Sequence, residues 1–371
     1  MNILIFTGRF GMGHYSVAET VRQQLQAQSP QATIHVIDII DKIFPDLNKY
    51  IYGFFDFSVN RCSNLYNQFA VISSRSKVAP LKRIVAERLS VLIDSYQPDM
   101  LISVIPICSQ YLSSYKKIKH SCIPLYTYIT DVMVYQEWVS AETNAYFVAC
   151  EQTRQSLLSK GVPPEKIIIT GIPVKPEFSI DNNKFNYNNK TEILVMGGGL
   201  GLIPGAYTWL ADLHKVNDVH VTVITGKNKK LRDGLAGIYP NMTILGYTDK
   251  VANYMKTSDI LVSKAGGITT FEAIRSGTPI CTLTPFLNQE SGNAEFIEKM
   301  NIGTVSKDNN KTLADDILYL ARNVQVRKKM IQNEKSIINT LSGISPIDLY
   351  SNADITNHYR KKQKAIWKSI G

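Results

Sequence analysis

At 371 residues the chain is long for one domain and comfortable for two, at roughly 100–200 residues each. Its 44% apolar and 19% charged residues exclude a disordered, collagenous or disulfide-scaffold protein, and no apolar run reaches the roughly 18 residues of a spanning helix. The 41 Lys and Arg outweigh 31 Asp and Glu for a net charge of +10, which suits an anionic partner: nucleic acid, lipid headgroups or a phosphorylated small molecule.

The N-terminus, MNILIFTGRFGMGH, has no basic segment ahead of a long apolar one and reads as a strand rather than a signal peptide. Asn2–Thr7, Ala32–Ile40, Asp99–Pro106, Leu125–Asp131 and Asn144–Cys150 are β-branched or aromatic runs, each predicted to be a buried strand. Between the first two, Val17, Val21 and Leu25 mark one face of a helix. Residues 61–119 carry nine basic side chains against three acids. Residues 173–190, with two prolines and five asparagines, read as a linker. A second series of strands follows at Glu192–Met196, His220–Thr225, Met242–Leu245, Ile260–Val262 and Pro279–Leu283. Continuous apolar strands alternating with helices predict two doubly wound α/β domains, 1–172 and 191–345, whose ligands sit at the carboxyl ends of the strands. The last stretch, 346–371, reads as a basic terminal helix with Ile355, Tyr359, Ile366 and Trp367 available for packing. Five scattered cysteines (62, 108, 122, 150 and 281) contain no Cys-x-x-Cys and suit a reducing cytoplasm.

The candidate chemistry lies at strand ends. After the first strand, Gly8, Gly11 and Gly13 lead into a helix whose first turn holds His14, where the dipole favours the neutral imidazole of a general base; a capping or packing histidine is the competing reading. Asp131 closes its predicted strand, either to orient His14 or bind a hydroxyl, or to cap the next segment. In the second domain, Gly197–Gly199 follow one strand and Lys264-Ala265-Gly266-Gly267-Ile268-Thr269-Thr270-Phe271-Glu272 follow another. Main-chain N–H groups of such turns can hold a diphosphate, with Thr269 and Thr270 adding hydroxyls. Glu272 can accept from a ribose diol, and Gln289 and Glu290 place an amide beside a carboxylate suited to sugar hydroxyls. Taken one at a time, each is also compatible with a plain solvated loop.

These segments resemble the monogalactosyldiacylglycerol synthase and processive diacylglycerol glucosyltransferase family. The resemblance rests on the glycine loop ending in Gly13-His14, on Thr170–Phe178, on Met196–Gly199, and on Lys264–Glu272 with Gln289, Glu290 and Asn293. It implies a GT-B fold, with an acceptor- and membrane-binding first domain, a UDP-sugar-binding second domain and a terminal helix returning to the first. It implies inverting, metal-independent transfer of a hexose from a UDP-sugar to a lipid hydroxyl such as diacylglycerol. No cofactor is expected, and no Asp-x-Asp is present to bridge a metal to the diphosphate. His14 or Asp131 would be the base, with Gly11 and Gly13 in the acceptor loop. Gly266, Gly267 and Thr269 would hold the diphosphate, Glu272 the ribose, Gln289 and Glu290 the sugar, the turn at Gly246-Tyr247 would sit beside the uracil, and Gly198, Gly199, Lys264 and Asn293 would complete the donor site. The chain departs from the family at Ala265, where proline is usual, and in 132–137, which lack a histidine.

The basic surface and the aromatic segment Tyr50–Phe57 suggest peripheral attachment to an anionic membrane from the cytoplasmic side. A buried helix is the competing reading of that aromatic segment. Three rival functions share the composition: transfer to a polyprenyl-linked or soluble acceptor, a UDP-sugar 2-epimerase, and a nucleic-acid binder. The last lacks any base-reading motif.

Overall fold

The computed structural model describes residues 1–10, 13–61, 81–180, 190–285, 288–307 and 312–351, with backbone alone for 55–61 and 288–289. The expectations for Gly11, for the 62–80 part of the basic stretch, for 181–189 of the linker and for the tail beyond 351 lie outside the described residues, as does the Gln289 side chain. The chain divides into two compact units. One holds residues 1–10 and 14–172 and resumes at 341; the other holds 173–340 together with Gly13.

The first unit runs β1 (Asn2–Thr7), α1 (Gly13–Gln28), β2 (Thr33–Asp38), α2 (Ile39–Ile43), α3 (Asn48–Arg61), α4 (Lys82–Tyr96) and β3 (Met100–Ser103). It continues through α5 (Pro106–Lys119), β4 (Leu125–Tyr128), β5 (Ala145–Val148), α6 (Glu151–Ser159) and β6 (Ile167–Ile169). The six strands are parallel, in the order β2-β1-β3-β4-β5-β6. Ile3, Leu4, Ile5 and Phe6 are all fully buried, although their side chains alternate between the two faces of the sheet. Helices therefore cover both faces, as a continuous apolar strand requires. Val17, Val21 and Leu25 bury one face of α1 against it.

The second unit runs β7 (Thr191–Met196), α7 (Ala206–His214), β8 (Val219–Ile224), α8 (Lys229–Leu235), β9 (Met242–Leu245), α9 (Val251–Thr257) and β10 (Ile260–Ser263). Then come α10 (Gly267–Ser276), β11 (Ile280–Thr282), α11 (Asn288–Lys299), β12 (Gly303–Val305), α12 (Leu313–Arg322) and α13 (Val324–Thr340). Its parallel order is β12-β11-β10-β7-β8-β9. Trp209, Leu210 and Leu213 of α7 and Ile317 and Leu320 of α12 join Ile193, Val195, Val221, Val223 and Val262 in one core cluster. Two parallel six-stranded sheets, each wrapped by helices, are the GT-B architecture expected from the sequence. Among the described residues no helix is long and apolar enough to cross a membrane.

The chain then returns to the first unit. Ser342 N–H donates to the Ile169 carbonyl at 2.7 Å, beyond which α14 (Pro346–Ser351) presents Asp348 to Gln28 Nε2 at 2.8 Å.

Three strand limits differ from the sequence reading, each for a local reason. The second strand stops at Asp38, whose carboxylate accepts from the N–H groups of Ile40 and Asp41 and so starts α2. The buried Ile39, Ile40 and Ile43 then form a helix face rather than a strand end. Pro106 opens α5 instead of closing β3, a position its fixed φ suits. Asp131 does not close β4: the strand ends at Tyr128, paired with Phe147, and Asp131 sits in the bend that follows. Two short strands escaped the pattern, β6 because three isoleucines are too few to show a period, and β12 because it opens with a glycine.

Candidate active site

In a doubly wound sheet the crevice opens where strand order reverses. That point lies between β1 and β3 in the first unit and between β7 and β10 in the second. Apart from Gly246 and Tyr247, which follow the edge strand β9, the candidate residues gather at the carboxyl ends of these strands or of their immediate neighbours.

In the first unit, α1 begins at Gly13, which puts His14 in its opening turn. His14 Nδ1 lies 3.1 Å from Thr130 Oγ1, just past the end of β4. Thr130 is buried and adjoins Asp131, so the histidine and the carboxylate-bearing bend come to the same end of one sheet. An Nδ1–H donating to Thr130 would leave Nε2 with its lone pair, the arrangement a general base needs. No local signal marks Thr130, since a hydroxyl beside an aspartate carries no pattern.

In the second unit, β7 and β10 are neighbours in register Met196↔Ser263, so their following turns lie side by side. The glycines divide by role. A Cβ at Gly197 would lie 2.4 Å from the Leu202 main-chain nitrogen, and one at Gly201 would lie 1.8 Å from the Thr225 carbonyl oxygen, so both serve close backbone packing. Gly198, at φ +68°, faces Lys264 instead: a Cβ there would meet Lys264 Cε at 3.6 Å. A Cβ on Gly266 would lie 3.8 Å from Lys264 Nζ and 4.0 Å from Thr269 Oγ1. The ammonium thus hangs over both glycine turns.

Lys264 Nζ is bonded at 2.8 Å to Glu290 Oε1, and Glu290 is only 3% exposed. The expected sugar-reading carboxylate is therefore engaged with Lys264 through one oxygen, while its other oxygen, Oε2, is buried without a hydrogen bond. Asn293 Nδ2 donates to the Ala265 carbonyl at 2.9 Å and braces the same turn from α11. Gly266 caps α10 in extended backbone and Gly267 is its first residue. The main-chain N–H groups of this ten-residue helix's first turn, together with Thr269, stand at the turn where an anion would be held. Thr270 does not share in this, because its hydroxyl donates to the Gly266 carbonyl at 2.9 Å.

Glu272, one turn into α10 and half-buried, is pushed up to about 8 by desolvation, against which Lys175 acts in the opposite sense. Burial thus favours its protonated form. Gly246 and the 64% exposed Tyr247 follow β9, three strand spacings from β10 and so roughly 14 Å along the same sheet edge. Among the described residues no three His, Cys, Asp or Glu side chains come together as a metal ion would need.

Residues 14–174 match the family model for monogalactosyldiacylglycerol (MGDG) synthase, and 193–341 match that for the glycosyltransferase family 28 C-terminal domain. A processive diacylglycerol beta-glucosyltransferase of Bacillus cereus (strain AH187) is 28% identical over 330 residues, covering 84% of each chain. The crystal structure of MurG from Acinetobacter baumannii superposes with a TM-score of 0.61 at 14% identity, over 95% of this chain and 98% of that one. A UDP-GlcNAc 2-epimerase from Neisseria meningitidis, bound to UDP-GlcNAc, gives 0.57 at 14% identity, over 92% and 99%. The spinosyn rhamnosyltransferase SpnG gives 0.64 at 13% identity, over 92% and 97%; a transferase and an epimerase sharing one architecture show that fold alone does not choose the reaction. The domain matches and the relative do: the first unit is similar to the MGDG synthase family, the second to the family 28 C-terminal domains, and the chain is a glycosyltransferase.

Proposed function

We propose that this glycosyltransferase moves a hexose from a UDP-sugar to the hydroxyl of diacylglycerol or a closely similar lipid, with inversion and without a metal, on the cytoplasmic face of a membrane. The observation that carries the donor half is the grouping of Gly198, Lys264, Gly266, Thr269 and Glu272 around the strand-order reversal of the second sheet. Uracil would lie by Gly246 and Tyr247, the ribose diol against Glu272, and the pyrophosphate on the first turn of α10. Ribose hydroxyls donating to Glu272 would favour its ionised form.

In the reaction, His14 Nε2 takes the acceptor hydroxyl proton as the acceptor oxygen forms its bond to the anomeric carbon. The bond from that carbon to the diphosphate breaks, and UDP leaves carrying the electron pair. One in-line displacement inverts the anomeric centre. The charge that develops on the leaving diphosphate is met by main-chain N–H groups and the Lys264 ammonium, fixed donors that are worth most in a site closed to water. Asp131 is the second candidate for the base.

Support for the lipid half comes from the relative's printed substrate and from the surface of the first unit. Tyr50 and Phe54 on α3 are 76% and 57% exposed, contrary to a buried helix. Leu81, Ile84 and Val91 are exposed along α4 beside Lys82, Arg83 and Arg88. Basic side chains near an anionic leaflet contribute about 1 kcal/mol each. The deciding experiment incubates pure protein with a panel of UDP-sugars and mixed lipids and identifies products by mass spectrometry. A hexosyl-diacylglycerol is expected, unchanged in yield by EDTA. No glycolipid product, or no rise in melting temperature with UDP, overturns the reading.

A further inference from the structure

A second polar cluster in the first unit has no part in the chemistry above. Asp38, the last residue of β2, is its hub. Its Oδ1 accepts from the N–H groups of Ile40 and Asp41 at 3.0 and 3.2 Å and from Tyr52 Oη at 2.6 Å. Its Oδ2 pairs with Arg9 Nε at 3.1 Å. Arg9 also pairs through its second nitrogen with Asp41, which accepts from Asn48 Nδ2 at 2.9 Å. The decisive bond runs the other way: the main-chain N–H of Arg9 donates to Tyr52 Oη at 3.0 Å. The Phe10 and Tyr52 rings meet at 5.2 Å between centroids. The stretch Gly8–Phe10, which leads toward His14, is thereby fastened to α3 by one tyrosine.

Helix geometry gives that tyrosine a second meaning. Tyr50 and Phe54 are four residues apart and share a face, while Tyr52 is turned roughly 200° from each. The face with the exposed aromatics points outward and the face with Tyr52 points at the loop. Any shift of α3 on a surface must move the Tyr52 hydroxyl, and with it the Arg9 main chain.

We infer that Tyr52 is a positioning residue that couples the seating of α3 on an anionic lipid surface to the placement of the Gly8–Phe10 main chain at the carboxyl end of β1, the sheet end to which His14 also belongs. This rests on the lipid-acceptor reading above and adds to it a reason why the acceptor's own membrane would set the rate.

Hydrogen exchange of the full chain with and without phosphatidylglycerol vesicles tests it, using the wild type and Tyr52→Phe, which keeps the ring and removes the hydroxyl. Vesicles are expected to slow exchange at residues 48–54 of both proteins, and to change exchange at Arg9 and Phe10 at least twofold in the wild type alone. Phe54→Ser, on the outward face, is expected to lose both responses together. With saturating UDP-hexose and acceptor in vesicles, Tyr52→Phe is expected to lower kcat three- to tenfold while donor KM stays within twofold. A loop response equal in wild type and Tyr52→Phe, no response of α3 in the wild type, or an unchanged kcat overturns the coupling. A wild type that transfers no sugar to lipid refutes the activity instead, and the exchange data still judge the coupling by themselves.

Discussion

The two units share one architecture, six parallel strands with candidate residues at their carboxyl ends, yet they equip that end by opposite means. The first unit relies on side chains: His14 against Thr130, and Arg9 and Tyr52 around Asp38. The second relies on main chain, through glycines that let neighbouring turns approach and a helix N-terminus, with one buried ion pair laid across them. A doubly wound sheet supplies a place, and the turn sequences decide whether that place handles a proton or an anion.

The sharpest way to break the contrast is His14→Ala. It should lower kcat by on the order of 10²–10⁴, the usual value of general acid–base catalysis, with donor KM within about twofold. A full rate in steady-state assays would transfer the proton-accepting role to Asp131. Next in size is the buried pair. Lys264→Met leaves Glu290 charged and enclosed, which should cost about 3–5 kcal/mol in urea unfolding. Adding Glu290→Gln should return most of that stability but not UDP binding by calorimetry. Recovery of both would show that the pair is only structural.

Glu272 gives a smaller, pH-dependent effect. Its folded pKa, about 8, exceeds the ordinary 4.5. The folded state therefore holds the proton more tightly, and the associated stability is complete below pH 4.5 and declines as pH rises to about 8. Glu272→Gln should flatten the fall in melting temperature across that window. Donor KM in the wild type should fall as pH rises toward 8, since a ribose diol needs the carboxylate; a Glu272→Gln enzyme with the same KM profile would assign the dependence elsewhere. The smallest effect is expected for Thr130→Val, about a threefold to tenfold loss of kcat without change in donor KM, because it removes only the partner that orients the imidazole.

Much of this was legible before any coordinates. Val17, Val21 and Leu25 announced their helix, and the uninterrupted Ile3–Phe6 run announced a sheet covered on both sides, because burial writes a period into the sequence. The glycine turns were visible as composition, but their division was not. Gly197 and Gly201 differ from Gly198 only in which atoms stand opposite, and those atoms come from residues as distant as Thr225 and Lys264. The Lys264–Glu290 bond spans 26 positions and the Tyr52–Asp38 bond joins a helix to a strand end, so neither follows from local pattern. Burial likewise raises the Glu272 pKa, since desolvation belongs to the tertiary surroundings.

The return of the chain to the first unit at Leu341 governs how the molecule is made. Ser342 and Asp348 supply bonds to Ile169 and Gln28, residues synthesised some 170 and 320 positions earlier. The opening half therefore leaves the ribosome without its closing piece, while the second unit, apart from Gly13, is one run from 173 to 340 and can form as soon as that run emerges. A chain cut at residue 172 would therefore leave its first fragment without the bonds that Ser342 and Asp348 bring to it.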